Sequence, residues 1–224
     1  MWCVPKLDDE YVARMEDVLR LYSAPLKRSE PLVCLDERPV QLLDDVRPPT
    51  RASPGREARC DYEYRRCGTA NVFAIVAPKL GRHMTYASKD RKGPAYAQAL
   101  QHIAAAFPTA RRIHLVQDNL STHSENCCIN ALGSEAGRKL WRRFKIHYTP
   151  KHGSWLNQAE TEISLWSREC LGSRRLSSFE TLQAETTAWN SRADKHRRKI
   201  VWRFDVEAAR RKFNLRVVKP KPQD

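Results

Sequence analysis

The 224-residue chain carries 40 Lys and Arg against 26 Asp and Glu, a formal charge of +14. That length can bury one sizeable core with a short appendage, and the basic excess favours a polyanionic partner, because neutralising phosphates releases counterions. No run of about 18 apolar residues exists to span a bilayer, the opening MWCVPKLDDE is no signal peptide, and seven cysteines without a C-x-x-C pair argue against a secreted disulfide framework. The expectation is a cytoplasmic protein with no membrane partner.

In chain order, Met15, Val18, Leu19 and Tyr22 recur at helical spacing and Pro25 closes a short amphipathic helix. PLVCLDERPVQLL, Pro31 to Leu43, reads as a strand interrupted by Asp36, Glu37 and Arg38. DDVRPPTRASPGREAR, Asp44 to Arg59, reads as a long exposed basic loop. TANVFAIVAP and RHMTYAS predict two further strands, hairpin-related to the first. At KGPAYAQALQHIAAAFP the period changes: Pro94 suits a first helical turn, Leu100, Ile103, Ala104 and Phe107 form a stripe, and Pro108 stops it. RRIHLVQD is then a short buried strand, and strand, helix, strand implies a parallel crossover.

Further on, Gly133 to Phe144 predicts a helix ending in basic residues, and KIHYTP another strand. HGSWLNQAETEISLWSRECLG predicts a helix of about four turns, capped by Ser154, with Trp155, Ala159, Ile163 and Trp166 on one face and Gly172 beyond its end. Ser177 and Glu180 resemble a capping box before Phe179, Leu182, Thr186 and Trp189. A last short helix starts at Asp205. The organisation expected is a helical lead-in over 1–30, a main domain over 31–176, and a helical extension with a basic tail over 177–224.

Three carboxylates fall where packing does not explain them. Asp36 interrupts the first strand, Asp118 ends the central one, and Glu160 or Glu162 lies on the helix after the last strand. Residues that end parallel strands face the ligand side of an α/β sheet. Clustered carboxylates repel one another unless a cation neutralises them, and hard oxygen donors suit Mg2+ or Mn2+. Such a pair of metals can activate a nucleophile and stabilise a leaving oxygen in phosphodiester transfer. On a helical wheel Glu160 and Glu162 flank the apolar stripe at similar angles, so spacing does not choose between them. His123, Cys127, His147 and His152 could be imagined as a zinc set, but their spacing matches no common pattern.

VCLDERPVQL, DYEYRRCGTANVF, LVQDNLSTHS and HYTPKHGSWLNQAETEISLWSRECLG together resemble, in order, the catalytic region of bacterial insertion-sequence transposases of the mariner-like superfamily, the DDE endonucleases. The resemblance spans about Trp2 to Phe213. It implies an RNase H-like α/β fold, a mixed sheet flanked by helices, with Asp36, Asp118 and Glu160 binding two Mg2+ or Mn2+ ions, and DNA cleavage at element ends followed by strand transfer. With that prior, Asn119, His123 and Asn157 are expected to orient ligands or water beside the acids, with Ser121 and Thr122 lining the same cleft. Lys151, Arg51, Arg56, Lys195, Arg197 and Arg198 are candidate phosphate contacts. Trp155 and Trp166 suit core anchors better than stacking platforms. Members of that superfamily carry an N-terminal helix-turn-helix region, and only one short helix precedes Asp36 here. Element ends and target DNA, a homodimer on DNA and a separate helix-turn-helix polypeptide are therefore the partners implied. Rival readings are an inactive or truncated DNA-binding remnant and a structure-selective nuclease of the same fold.

Overall fold

In a computed structural model, which describes residues 7–215, a long hairpin anchors the sheet. It comprises β1 (Leu32–Asp45) and β2 (Tyr64–Ala77), paired antiparallel along nearly their whole length. Both strands run further than their apolar stretches: β1 continues to Asp45 and β2 starts at Tyr64 rather than Thr69. The outer residues of β2 are exposed, and the pairing there is carried by backbone rather than by burial. The basic connection begins after Asp45 and is partly ordered by bridges between Thr50 and Arg59 and between Ser53 and Arg56.

Two parallel strands extend the sheet on the other side of β1. These are β5 (Ile113–Gln117) and β6 (Phe144–Tyr148), and β3 (Arg82–His83) closes the opposite edge to give the order β3-β2-β1-β5-β6, with β4 (Tyr86–Ser88) also paired to β2. The crossover from the hairpin to β5 runs through α2 (Gly93–Ala106), as strand, helix, strand required. Alternation sorts β1 onto two faces. Val33 and Leu35 join Phe73, Ile75, Leu115 and the α2 residues Tyr96, Leu100 and Ile103. Leu32 and Cys34 join Val76 and Val116 against Met15, Val18, Leu19 and Tyr22 of α1 (Asp9–Ser23). A third cluster sets Val40, Leu42, Ala70 and Val72 of the hairpin against Trp166, Leu182 and Trp189.

Several elements depart from their local pattern. The stretch 82–88 is two short strands: Met84 N still donates to Ile75 O, but the Ile75 amide donates to Thr85 Oγ1 in place of a backbone carbonyl, while the outward-facing His83 and Thr85 amides donate to Asp194 Oδ1 and Asn190 Oδ1. An additional helix, α3 (Glu125–Leu132), precedes α4 (Ser134–Trp141); Gly133, at φ +86°, separates them. Only Cys128 of α3 is fully buried, which leaves little periodic signal. The expected four-turn helix after β6 is instead a 3₁₀ turn over Ser154–Leu156, α5 (Ala159–Trp166) and a π-helical segment over Ser167–Leu171. Asn157 causes the first break by accepting the Ala159 amide and donating to Leu35 O, so Ser154 does not cap α5. In α6 (Phe179–His196) the capping side chain is Ser178, which accepts from the Thr181 amide, not Ser177. Asp205 caps α7 (Val206–Lys212) as its sequence suggests. No helix among the described residues is long and apolar enough to cross a membrane.

One side chain ties α1 to the approach of α5. Tyr22 Oη donates to Leu156 O at 2.6 Å and accepts from the Gln158 amide at 3.4 Å. Tyr22→Phe strands both buried backbone groups and is expected to lower stability by about 1–2 kcal/mol, measured as a lower urea midpoint at unchanged slope.

Candidate active site

The β1–β5 pairing brings two of the acids together. It aligns Leu32 with His114, Val33 with Leu115 and Cys34 with Val116; the same register carried two residues onward sets Asp36 beside Asp118. Hydrogen-bonded pairing between these strands stops at Cys34 and Val116, and the acids follow at the carboxyl ends, on the face shared with Cys34 and Val116. Position and alternation together aim both carboxylates toward α1 and α5.

The third acid comes from the first turn of α5. Ala159 packs in the cluster with Cys34, Val116 and Leu156, so Glu160 beside it lies close enough for its charge to act on Asp36. Asn157 bridges these elements: its buried amide donates to Leu35 O at 2.8 Å and reaches Asp36 Oδ2 at 3.3 Å. The other carboxylate of α5 is engaged elsewhere. Glu162 is 1% exposed, accepts from Thr85 Oγ1 at 2.8 Å and contacts His83 Nδ1 at 2.8 and 3.0 Å. Two candidates that spacing left equivalent therefore differ completely in surroundings: Glu160 is exposed at the acid cluster, while Glu162 ties α5 to the broken edge strand.

His123 connects the acids to a carboxylate that pattern reading passed over. Its Nε2 lies 2.7 Å from Glu37 Oε1 and its Nδ1 2.7 Å from Asp118 Oδ1, while its ring stacks on Tyr96 at 4.5 Å between centroids. Glu37 follows Asp36 on an extended strand, so it points to the opposite face, where α2 lies. The signal for it was present in the adjacent acids of CLDE, one for each side of the sheet. Burial opposes a charge on His123, yet the close carboxylates of Asp118 and Glu37 prevail and raise its pKa to about 9. Asp36 is pushed up to about 7, first by burial and then by the charges of Glu160, Asp118 and Glu37, against the favourable Glu37 amide.

Those carboxylates resist carrying their full charge together, which is the chemistry a cation relieves. Asp118 Oδ1 is buried and has no well-aligned hydrogen-bond partner, because it sits off the line of the His123 N–H. The donors are all carboxylate oxygens and suit a hard divalent ion. Among the described residues no three His, Cys, Asp or Glu side chains are already drawn into a metal-holding group; Asp118 is turned toward His123, and Asp36 accepts from the Glu37 amide at 2.8 Å. The imagined zinc set is not assembled: His147 is bound to Asp17 at 2.6 Å and His114 at 2.9 Å, apart from His123.

The remaining nominated residues divide by location. Asn119 and Lys151 line an open cleft of about 710 Å³ with Asp118, Thr149, His152 and the α1 residue Arg14. His152 there holds a left-handed backbone, φ +62°, uncommon for a non-glycine residue and often seen at functional turns. Arg51 and Arg56 are exposed on the hairpin connection, and Lys195 is exposed in the last turn of α6. Arg197 and Arg198 are exposed but pair with Asp194 at 3.2 Å and Glu169 at 3.0 Å. Ser121 is exposed and Thr122 half-buried on the turn after Asp118. Trp166 is fully buried, and Trp155 packs on Phe204 and Phe213.

Comparison with known proteins agrees with this arrangement. Residues 31–183 match the family described as DDE superfamily endonuclease. Among solved structures, the Mos1 mariner paired-end complex with Mn aligns at a TM-score of 0.57 and 15% identity, covering 88% of this chain and 60% of that one. A pre-cleavage Mos1 transpososome gives 0.57, 14%, 88% and 60%, and the Mos1 strand transfer complex 0.54, 16%, 85% and 57%. The chain thus spans about three fifths of the length of these structures, and the likeness places its mixed sheet and helices in the RNase H-like fold. No curated protein matches.

The two glutamates of α5 differ measurably in stability. Glu162→Leu leaves the Thr85 hydroxyl proton and His83 Nδ1 without an acceptor or partner and is expected to cost about 1–3 kcal/mol, whereas Glu160→Leu at an exposed position stays within about 0.5 kcal/mol. Urea unfolding of both variants checks the contrast.

Proposed function

For a chain that belongs to the DDE superfamily endonucleases, we propose the role of a DNA transposase catalytic unit, cutting phosphodiesters at element ends and joining the freed 3′-hydroxyl to target DNA. The observation that carries this reading is the register that sets Asp36 beside Asp118, with the charge of Glu160 acting on the same point. Asp36, Asp118 and Glu160 would hold two Mg2+ or Mn2+ ions. When bound, such ions neutralise charge on the attacking and leaving oxygens of an in-line displacement.

The chain's own residues supply position. Asn157 orients Asp36 through its amide and fixes the entry of α5, hence the place of Glu160. His123, braced by Glu37 and Tyr96, holds the Asp118 carboxylate and offsets part of its charge. In the first step a water oxygen attacks phosphorus, the P–O3′ bond breaks, and the leaving 3′-oxygen ends as a hydroxyl while the water gives up a proton; in the second the released 3′-hydroxyl attacks a target phosphodiester, losing its proton as the target's own P–O3′ bond breaks and frees a target 3′-hydroxyl. Lys151 and Asn119 beside Asp118 meet the strand near the scissile group. Arg51 and Arg56 on the hairpin connection, with Lys195 in the last turn of α6 and Arg197 and Arg198 just beyond it, contact the backbone further away. The catalytic unit covers 31–176, with the lead-in and the extension packed against it. It acts as a homodimer on DNA, with the element ends recognised by a helix-turn-helix region.

Nicking of supercoiled plasmid in Mn2+ tests the reading. Asp36→Asn, Asp118→Asn and Glu160→Gln are expected to lower the rate by more than about 100-fold, and His123→Ala by about 10–100-fold. Glu162→Gln in refolded, soluble protein keeps the activity. Wild-type protein that binds DNA and never nicks it reduces the chain to a DNA-binding remnant. Nicking of branched or supercoiled DNA without any joining of a 3′-end to target favours a nuclease.

A further inference from the structure

A second basic site lies along the helix that carries Glu160. The exposed positions of α5 and its extension include Glu160, Thr161, Ser164 and Arg168, so a solvent-facing stripe leads from the acid cluster toward the π-helical segment. Eight residues at helical rise place Arg168 about 12 Å from Glu160 along the axis, a distance of the order of two backbone phosphates. There the π segment and α6 enclose an open notch of about 420 Å³, lined by Arg168, Glu169, Arg174, Glu185, Trp189 and Arg192 among others.

Charge accounting in the notch is uneven. Glu169 accepts from Trp189 Nε1 and pairs with Arg198, both at 3.0 Å. Glu185 pairs with Arg174 at 3.0 Å, and Arg174 also donates to Cys170 O. Both acids are therefore already matched by arginines. Arg168 and Arg192 have no hydrogen-bond or ion-pair partner among the described residues, and both are exposed. The notch thus carries two guanidinium groups with no bonded partner, Arg168 and Arg192, although the Arg192 charge also acts on Glu169; their planar donors match phosphate oxygens. The backbone that shapes it is unusual in the same place: π-helical turns are rare and concentrate at functional sites.

We propose that this notch binds the phosphodiester backbone of DNA, with Arg168 and Arg192 as the phosphate contacts, and guides the duplex flank that leaves the acid cluster along α5. The assignment rests on the DNA-cutting reading above but uses none of its acids. The competing account is that Arg168 merely favours the carbonyl end of its helix, which would affect stability and not DNA binding.

The test is fluorescence anisotropy of a short labelled duplex titrated with the full chain over a range of salt. Arg168→Ala/Arg192→Ala is compared with Arg28→Ala/Arg112→Ala, which removes the same charge at the opposite end of β1 and β5. Removal of two phosphate contacts lowers the slope of log affinity against log salt by about 2 and weakens binding by roughly 10-fold or more at moderate salt. The control pair keeps most of the slope, and Arg168→Lys/Arg192→Lys, which retains charge if the alanine pair is poorly folded, recovers most of the affinity. Equal losses in the notch and control pairs, or an unchanged slope in a notch pair that melts early, overturn the proposal. Failure of wild-type protein to bind any duplex is a different result: it removes the DNA reading itself, and the notch with it.

Discussion

The structure depends on placing carboxylates side by side at the ends of two parallel strands. The β1–β5 register leaves Asp36 and Asp118 no choice but to be neighbours, and Glu160 adds a third charge from α5. Such a cluster is unfavourable by itself: Asp36 is pushed up to about 7, by burial first and then by the other acids. A fold optimised only for stability would not put them there. The arrangement makes sense for a protein that meets hard cations and the phosphodiesters they act on.

Much of the surrounding architecture holds that cluster in place. On one face of the sheet Glu37, His123 and Tyr96 form a stacked, hydrogen-bonded support whose far end is Asp118. On the other, Tyr22 and Asn157 fix the turn into α5, the first by capturing backbone groups of Leu156 and Gln158, the second by bridging β1 to the helix start. Glu162 then locks the next turn of α5 to His83 and Thr85 on the broken edge strand. These supports come from α1, β1, α2, the β5–α3 turn, α5 with its entry turn, and the edge strand at 82–88, so the position of three acids is a property of the whole sheet and its helices.

The surface has the opposite sign. A net charge of +14 surrounds a site that is locally negative, with basic groups on the hairpin connection, in the cleft beside Asp118 and in the notch beyond α5. A polyanion is drawn to such a surface by long-range attraction and admitted to the acids only where their charge is neutralised. The arginines divide accordingly: Arg174 is held between Glu185 and Cys170 O, whereas Arg168 makes no such pair and stays open to solvent.

Sequence alone determined the parts whose signal is local or periodic. The stripe of α2, the apolar run of β5 and the acids at Asp36 and Asp118 could be placed because burial imposes a spacing on a helix or strand, and a charge inside an apolar run stands out. The motifs likewise carried the family, later matched over residues 31–183. Only the tertiary structure separated the surroundings of Glu160 and Glu162, because the wheel angles are similar and the groups that engage Glu162, His83 and Thr85, are some eighty residues away. It also decided the length of the hairpin, the broken strand at 82–88 and the role of Glu37, whose partner His123 reaches it across the sheet. Backbone pairing and the pairing of buried charges are settled by which elements meet in space, and no spacing along one element reports that.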